Sequence, residues 1–229
     1  MVPTDAQILE TLQSAPVFKN AESGTLTGLA ARCTLRKLSE GELLFYQDDP
    51  GEAVFIVRSG TIAIFLGSAD GRELVINEMH PGDCFGEIAL FTNASRSTSA
   101  MARQDSQLVV IPSDTFLEVV EDGPELMRRI LKMTAQRLRV SSERESALAF
   151  LDASARIARV LLQLDETAAQ PGRIEITQEE LSQHVGLTRQ TVASTLGKWR
   201  RDGWVETGRG EIEILKRGVI EHFAYKTVV

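Results

Sequence analysis

Between Leu35 and Ile111, hydrophobic residues come in short runs that glycines interrupt. The apolar stretches are Leu43 to Tyr46, Val54 to Val57, Ile62 to Leu66, Leu74 to Ile76 and Leu108 to Ile111. The glycines that separate them include Gly41, Gly51, Gly60, Gly67, Gly71 and Gly82. Short strands with turn residues at such spacing are typical of an antiparallel sandwich or small barrel. The pattern therefore predicts a β-roll.

The pattern changes after Asp122-Gly123-Pro124. From Glu125 to about Leu151 proline is absent and good helix formers dominate, so we predict one long helix. Seven positions in it are spaced alternately by four and three residues, as in the seam of a coiled coil: Met127, Leu131, Thr134, Leu138, Ser141, Glu145 and Leu148. Two such helices can pair into a homodimer. Because three of the seven positions are polar, the alternative is one amphipathic helix packed on its own domain.

The C-terminal part has the pattern of a helix-turn-helix followed by a hairpin. Thr177 and Glu180 are spaced as a capping box, which marks the start of a helix. Gly186 permits a tight turn, and Thr188 can cap a second helix. The buried faces would be Leu181 and Val185 in the first helix and Val192, Leu196 and Trp199 in the second. Segments 204–206 and 211–215, joined through Gly208-Arg209-Gly210, predict a wing beside these helices. The alternative for the two helices is an ordinary helical hairpin, since many of these also carry a glycine turn.

These segments predict an α+β chain in three parts. Residues 1–123 form an antiparallel β-roll of the jelly-roll type, residues 124–152 a long dimerisation helix, and residues 153–229 a winged helix-turn-helix. A length of 229 residues is enough to bury more than one core.

Charge is distributed unevenly along the chain. The net charge is −7, but residues 1–172 carry 16 basic and 24 acidic residues whereas residues 173–229 carry 9 basic and 8 acidic. Phosphate binding depends on local Lys and Arg, so any nucleic-acid surface is expected in the C-terminal segment. No apolar run reaches the roughly 18 residues of a membrane span, and the N-terminus lacks the pattern of a secretory signal. We expect a cytoplasmic protein.

The segment Phe85-Gly86-Glu87-Ile88-Ala89-Leu90-Phe91, followed by Arg96-Ser97-Thr98, has the chemistry of a cyclic-phosphate site. Gly86 allows close approach of the backbone, a helical turn from Ile88 would direct N–H groups at an anion, and Arg96 and Ser97 add donors. Glu87 fits such a site if it accepts a hydrogen bond from a ribose hydroxyl of the same ligand. The alternative is a structural salt bridge between Glu87 and Arg96.

With Gly82-Asp83 before it, this segment resembles the phosphate-binding cassette of the cyclic-AMP receptor protein (CRP/FNR) family of bacterial transcription regulators. Residues 138–143 and 148–152 and the helix-turn-helix from Thr177 to Leu196 resemble the same family, in the same order. The resemblance implies a homodimer gated by cyclic AMP, which binds a palindromic site in double-stranded DNA and contacts RNA polymerase.

The resemblance also assigns ligand roles. The resemblance implies that Glu87 binds the ribose hydroxyl and that Arg96 and Ser97 bind the phosphate. It also implies that the backbone approaches the ligand closely at Gly86, next to the amides of Ile88 and Ala89. Arg137 is expected to form an ion pair with Glu87. Ser141 and Ser142 stand where hydroxyls of the two subunits meet the adenine, although small hydroxyls can instead bond the carbonyl four residues back.

Other effectors and chemistries are less consistent with the sequence. A serine hydroxyl can also donate to guanine, which keeps cyclic GMP open. Relatives that use cyclic di-GMP depart from the Arg-Ser cassette kept here, and a ligand-independent regulator is a further alternative. Cys33 and Cys84 are too few for an iron–sulfur cluster, and His80 lies in a turn-like sequence that predicts an exposed, unliganded ring. We expect no catalytic or metal site; the remote alternative is an enzyme on a double-stranded β fold.

The DNA-reading residues follow from the same resemblance. The second helix of the motif begins Thr188-Arg189-Gln190-Thr191, and Arg189 matches the residue that grips a guanine. The best-known members have Glu and Arg where this chain has Gln190 and Ser194, so a different half-site is expected. Lys198, Arg200, Arg201 and Arg209 are expected to contact phosphates. The alternative for Arg189 is a phosphate contact as well.

Overall fold

The computed structural model describes residues 3–68 and 71–225, which divide into two compact units. Of the described residues, one unit contains 3–66 and 76–138, and the other contains 67–68, 71–75 and 139–225. The three-part division made from the sequence stays a prediction.

The first unit is built around two four-stranded sheets. Its strands are β1 (Thr34–Leu38), β2 (Leu43–Phe45), β3 (Ala53–Ser59), β4 (Ile62–Gly67), β5 (Glu73–Met79), β6 (Cys84–Phe85), β7 (Ser99–Ala102) and β8 (Ser106–Pro112), the ends of β4 and β5 extending into the second unit. The strand orders are β1-β8-β3-β6 and β2-β7-β4-β5. Strands of both sheets contribute buried side chains to one core, including Leu44, Phe55, Ile62, Ala100 and Leu108.

Helices cover the β1-β8-β3-β6 sheet. They are α1 (Pro3–Ser14), α2 (Ser23–Ala30), α3 (Glu87–Thr92) and α4 (Ser113–Asp122), together with the first turns of α5 (Pro124–Phe150) and a 3₁₀ turn at Pro16–Phe18. Leu12, Phe18, Phe116 and Ile130 pack in one cluster with Val54 of β3. Each such side chain contributes about 1.5–3 kcal/mol through burial, so this cluster holds the start of α5 on the β-roll.

The second unit contains the C-terminal helices and a small sheet. The helices are α6 (Ala153–Thr167), α7 (Gln178–Val185), α8 (Arg189–Arg201) and α9 (Arg217–Ala224); the strands are β9 (Arg173–Ile174), β10 (Val205–Thr207) and β11 (Ile212–Ile214), in the order β10-β11-β9. Its core includes Ile157, Leu161, Leu181, Leu196 and Trp199.

Local sequence signals set the ends of α7 and α8. Thr177 and Glu180 form the predicted capping box. Gly186 ends α7 with a φ of 64°, a left-handed conformation that glycine adopts without strain. Thr188 then caps α8 by accepting a hydrogen bond from the amide of Thr191. The sequence-based assignment of a winged helix-turn-helix is therefore confirmed.

The predicted elements differ from the observed ones mainly at their ends. The strand expected at 74–76 extends from 73 to 79, and the wing strand expected at 204–206 runs from 205 to 207. The first strand is longer than predicted and the second is shifted by one residue, because pairing with a neighbouring strand sets the ends and a single-sequence pattern does not reveal that pairing. The long helix from 124 to 150 agrees with its prediction.

Candidate functional site

The segment Gly86–Ser97, which we call the cassette, begins where β6 ends. Gly86 caps α3 with a φ of 88°, which L side chains rarely adopt. A Cβ at this position would lie 2.8 Å from Nη1 of Arg96 and 3.2 Å from Cδ2 of Phe55. Glycine is therefore required here both by conformation and by space. The helix that follows starts at Glu87, one residue before the turn expected at Ile88.

Glu87 lies in the interior of the β-roll, with 1% of its surface exposed. Nη1 of Arg137, from α5, donates to its Oε1 at 2.8 Å, so the expected ion pair is present. Nη2 of the same arginine donates to the carbonyl of Cys84. Oε2 of Glu87 is buried and accepts no hydrogen bond. The carboxylate is thus fixed on one side and retains an acceptor on the other.

Arg96 is also buried, at 5% exposed. Its Nη1 donates to the carbonyl of Gly86 and its Nη2 to the carbonyl of Ala53, each at 2.8 Å. Burial lowers the pKa of Arg96, and the nearby carboxylates of Asp49, Glu87 and Glu52 partly oppose this effect. Nε is buried and has no hydrogen-bond partner.

The cassette therefore holds two buried groups of opposite charge, each with an unused hydrogen-bonding atom. Glu87 pairs with Arg137 and Arg96 bonds to main-chain carbonyls, so the alternative of a Glu87–Arg96 salt bridge is not the arrangement found. Buried polar atoms usually have partners. A sugar phosphate can supply a hydroxyl for Oε2 of Glu87 and an anionic oxygen for Nε of Arg96.

The other predicted cassette residues differ in exposure. Ser97 and Ile88 are exposed, whereas Ala89 is buried. The amides of Ile88 and Ala89 lie in the first turn of α3, where backbone N–H groups have no partner within the helix.

Ser141 and Ser142 lie on the part of α5 that belongs to the second unit. Ser141 is half-buried and Ser142 is exposed. Along α5, the seam residues Met127, Leu131, Leu138 and Leu148 are exposed in the single chain. An apolar stripe of this kind is typical of a surface that a partner covers.

The residues expected to read DNA lie at the start and on the exposed side of α8. Arg189, Gln190 and Ser194 are exposed, while Val192, Leu196 and Trp199 face the core. Nε of Arg189 lies 3.9 Å from Oε2 of Glu179, an exposed pair that solvent weakens. Arg189 therefore remains accessible to a ligand.

Thr188 and Thr191 have a structural role at the same helix end. Their hydroxyls lie 2.9 Å apart and hold the cap of α8. Lys198, on the same side of α8, and Arg209, in the wing loop, are exposed. The structure thus brings most of the expected DNA contacts onto one helix and its wing, and their roles stay a prediction.

The remaining chemically reactive residues are dispersed or buried. Cys33 and Cys84 are free and buried, and burial raises the pKa of both thiols, that of Cys33 to about 12. His80 is exposed, as its turn sequence predicted. Within residues 3–68 and 71–225, no group of three or more His, Cys, Asp or Glu side chains is placed to hold a metal ion. In the same ranges, no helix is both long and apolar enough to cross a membrane.

Sequence reasoning missed the residues that surround the guanidinium of Arg96. The Cζ atom of Arg96 lies 4.5 Å from the ring centroid of Phe45 and 5.4 Å from that of Phe55, and a third contact is the carbonyl of Ala53. These residues precede Arg96 by more than 40 positions. Since every residue has a backbone carbonyl, the sequence does not indicate which carbonyl accepts a hydrogen bond. No local signal identifies them.

Two protein families match the chain. Residues 35–122 match the cyclic nucleotide-binding domain family. Residues 155–223 match the Crp-like helix-turn-helix domain family. Together they cover most of the chain.

Curated relatives match over nearly their full length. The chain is 31% identical over 202 residues to a CRP-like cAMP-activated global transcriptional regulator from Mycobacterium tuberculosis, covering 86% of this chain and 90% of the relative. It is 30% identical over 190 residues to a cyclic AMP receptor protein from Thermus thermophilus, covering 83% and 88%.

Solved structures show the same fold. The c-di-GMP responsive global regulator CLP from Xanthomonas campestris matches with a TM-score of 0.77 and 25% identity, over 84% of this chain and 99% of that one. A CRP/FNR-family transcriptional regulator from Thermus thermophilus matches with a TM-score of 0.71 and 27% identity, over 84% and 99%.

Proposed function

The chain belongs to the CRP/FNR family of DNA-binding transcription regulators, and from this premise we propose that it is a homodimer whose affinity for DNA is controlled by cyclic AMP. The cyclic nucleotide-binding domain and the helix-turn-helix supply the two functions that such a regulator needs. They indicate a transcription regulator rather than an enzyme.

The observation that carries the ligand proposal is the pair of unused buried atoms in the cassette. Oε2 of Glu87 is an acceptor for the ribose 2′-hydroxyl, and Nε of Arg96 is a donor for the cyclic phosphate. The hydroxyl of Ser97 and the amides of Ile88 and Ala89 complete the phosphate site. Cyclic AMP is favoured over cyclic GMP because the M. tuberculosis and T. thermophilus relatives are named as cyclic-AMP proteins.

The long helix supports the proposed dimer. The exposed side chains of Met127, Leu131 and Leu138 form an apolar stripe with seam spacing, which a second copy of α5 would bury. In the dimer we propose that Ser141 and Ser142 supply hydroxyls from the two subunits to the adenine. Polar residues would then interrupt the seam for a functional reason.

Arg137 provides the connection from the ligand to the dimer helix. It lies on α5 and donates a hydrogen bond to Oε1 of Glu87. A ligand that bonds Oε2 therefore contacts a carboxylate that is already bonded to this helix. We propose that the resulting shift in α5 orients the two DNA-binding segments, which contact a palindromic site. Because the protein acts on DNA and with RNA polymerase, the proposal places it in the cytoplasm.

Cyclic di-GMP is the second candidate effector. The structural similarity to a c-di-GMP responsive regulator favours it. Against it, Arg96 and Ser97 match the phosphate residues that the resemblance to the cyclic-AMP receptor proteins implies. Titration with each nucleotide distinguishes cyclic AMP from cyclic di-GMP.

Isothermal titration of the purified protein with cyclic AMP, cyclic GMP and cyclic di-GMP tests the proposal. We expect cyclic AMP to bind with the highest affinity and one molecule to bind per chain. If cyclic GMP or cyclic di-GMP binds most tightly, that nucleotide replaces cyclic AMP as the proposed effector. If none of the three nucleotides binds, the proposed ligand site is wrong. Metal analysis and a phosphodiesterase assay test the enzyme alternative: turnover of cyclic AMP would contradict a purely regulatory role.

A further inference from the structure

We propose that Phe45 is a positioning residue for the phosphate arginine, Arg96. Its ring holds the buried guanidinium in place before the ligand arrives. The inference rests on the proposed function, because it assigns Phe45 to the same cyclic-nucleotide site.

The ring and the guanidinium are in direct contact. Cζ of Arg96 lies 4.5 Å from the centroid of Phe45, within the range of about 6 Å at which a cation is attracted to an aromatic face. The ring centroid of Phe55 lies 5.4 Å from Cζ of Arg96. The rings of Phe45 and Phe55 are stacked, with their centroids 5.7 Å apart. Arg96 has lost most of its water, and such contacts are strongest when the cation is desolvated.

The main chain next to Phe45 also clamps Arg96. The amide of Arg96 donates to the carbonyl of Asp49, and the amide of Asp48 donates to the carbonyl of Arg96, both at 2.9 Å. The register of β2 with β7 shifts between Leu43 and Phe45, and such bulges redirect side chains next to functional sites. The segment from Phe45 to Asp49 therefore contacts Arg96 at both its backbone and its charged end.

These contacts leave Nε of Arg96 available to a phosphate oxygen. A guanidinium has five N–H groups, and its bonds to the carbonyls of Gly86 and Ala53 occupy one on each terminal nitrogen. Nε remains without a partner. Without the ring of Phe45, the guanidinium would keep two carbonyl bonds and the more distant ring of Phe55 but lose the nearer ring that restrains its plane. Ordering the guanidinium again on binding would then oppose affinity.

Three variants test this role by titration with cyclic AMP. Phe45→Leu keeps an apolar side chain but removes the ring, and we expect between about 2-fold and 30-fold weaker affinity, the range of a cation–π contact. Phe45→Tyr keeps the ring and should restore affinity to within about twofold of the wild type. The matched control is Phe65→Leu, which removes a buried ring from β4 of the same sheet that is not one of the two described rings on the guanidinium of Arg96.

A second measurement follows Arg96 without any ligand. The Nε–H resonance of Arg96, assigned by its loss in Arg96→Leu, reports the ring above it in ¹⁵N-edited NMR. We expect this resonance to move in Phe45→Leu and to keep its position in Phe65→Leu. If it stays in place in Phe45→Leu, or if Phe65→Leu weakens binding as much as Phe45→Leu, the positioning role is wrong. If the wild type binds no cyclic nucleotide, the proposed function fails, and the resonance still decides whether Phe45 positions Arg96.

Discussion

At the scale of single residues, the cassette keeps two charges out of water with their hydrogen bonds only partly satisfied. Glu87 has Arg137 as its counter-ion, whereas Arg96 has main-chain carbonyls and aromatic rings. Burying charge is unfavourable unless the group is paired and hydrogen-bonded. The free protein therefore carries a cost at Arg96 that an anionic ligand would relieve.

The first prediction concerns Arg96 itself. Arg96→Leu removes the proposed charge-assisted bonds to the phosphate, each of which would contribute about 1.5–3 kcal/mol. We therefore expect the affinity for cyclic AMP to fall by at least about tenfold in calorimetry. Arg58→Leu is the matched control, since Arg58 bonds Gln107 on β8 and not the cassette. Unchanged binding by the Arg96 variant would reject this pocket.

A second residue-scale prediction uses the unpartnered oxygen of Glu87. If Oε2 accepts from the ribose 2′-hydroxyl, the wild type should bind cyclic AMP more tightly than its 2′-deoxy analogue by about 1.5–3 kcal/mol. In Glu87→Ala this preference should shrink towards zero. Both ligands are titrated into the same variant, so any general damage from leaving Arg137 unpaired cancels in the comparison. A preference that survives in the variant would place the ribose elsewhere.

At the scale of secondary-structure elements, the signals that predicted the fold were local ones. Each signal relates residues that are close in sequence: the cap at Thr177, the glycine at 186, and the steps of four and three residues along α5. The structure has α5, α7 and α8 at the positions that these signals predicted. The short strands β6 and β7 escaped prediction because their ladders are formed with partners distant in sequence. For the same reason the motif indicates Glu87 and Arg96 as candidate ligand contacts but not Phe45, whose proposed role depends on a tertiary contact.

At the same scale, the proposed dimer depends on α5. Leu138 lies at the middle of the seam and is 67% exposed in the single chain. Leu138→Glu would place two like charges across the two-fold axis, so light scattering should show loss of the dimer. Val140→Glu is the matched control, because Val140 is 49% exposed on the same helix but off the seam. A Leu138 variant that remains dimeric would mean that this helix is not the interface.

At the scale of the whole molecule, gating by a ligand requires energetic coupling between two sites. A coupling of about 1–3 kcal/mol corresponds to a 5- to 150-fold change in DNA affinity, and it is reciprocal. We therefore expect saturating cyclic AMP to tighten operator binding by a factor in this range, and operator DNA to tighten cyclic AMP binding by the same factor. Fluorescence anisotropy and calorimetry measure the two factors. Factors of one in both measurements would contradict ligand gating, whereas two equal factors above one are the result that linkage requires.

The last prediction concerns sequence readout. A two-fold dimer with one α8 per subunit should select a palindrome whose half-sites lie about 34–36 Å apart, one turn of DNA. Selection from randomised DNA measures this, and a motif without two-fold symmetry would contradict the proposed assembly.

Each half-site should contain a guanine opposite Arg189, which is exposed at the first turn of α8. Arg189→Ala should cost about 1–3 kcal/mol at that base pair, whereas Lys198→Ala, the control for a phosphate contact, should weaken all sequences alike. Gln190 suits adenine and Ser194 is too short for a bidentate contact to guanine, so Gln190→Glu with Ser194→Arg should shift the selected motif towards that of the best-known family members. If the Arg189 variant selects the wild-type motif with equal stringency, α8 does not read the bases through this residue, and Arg189 contacts only phosphate.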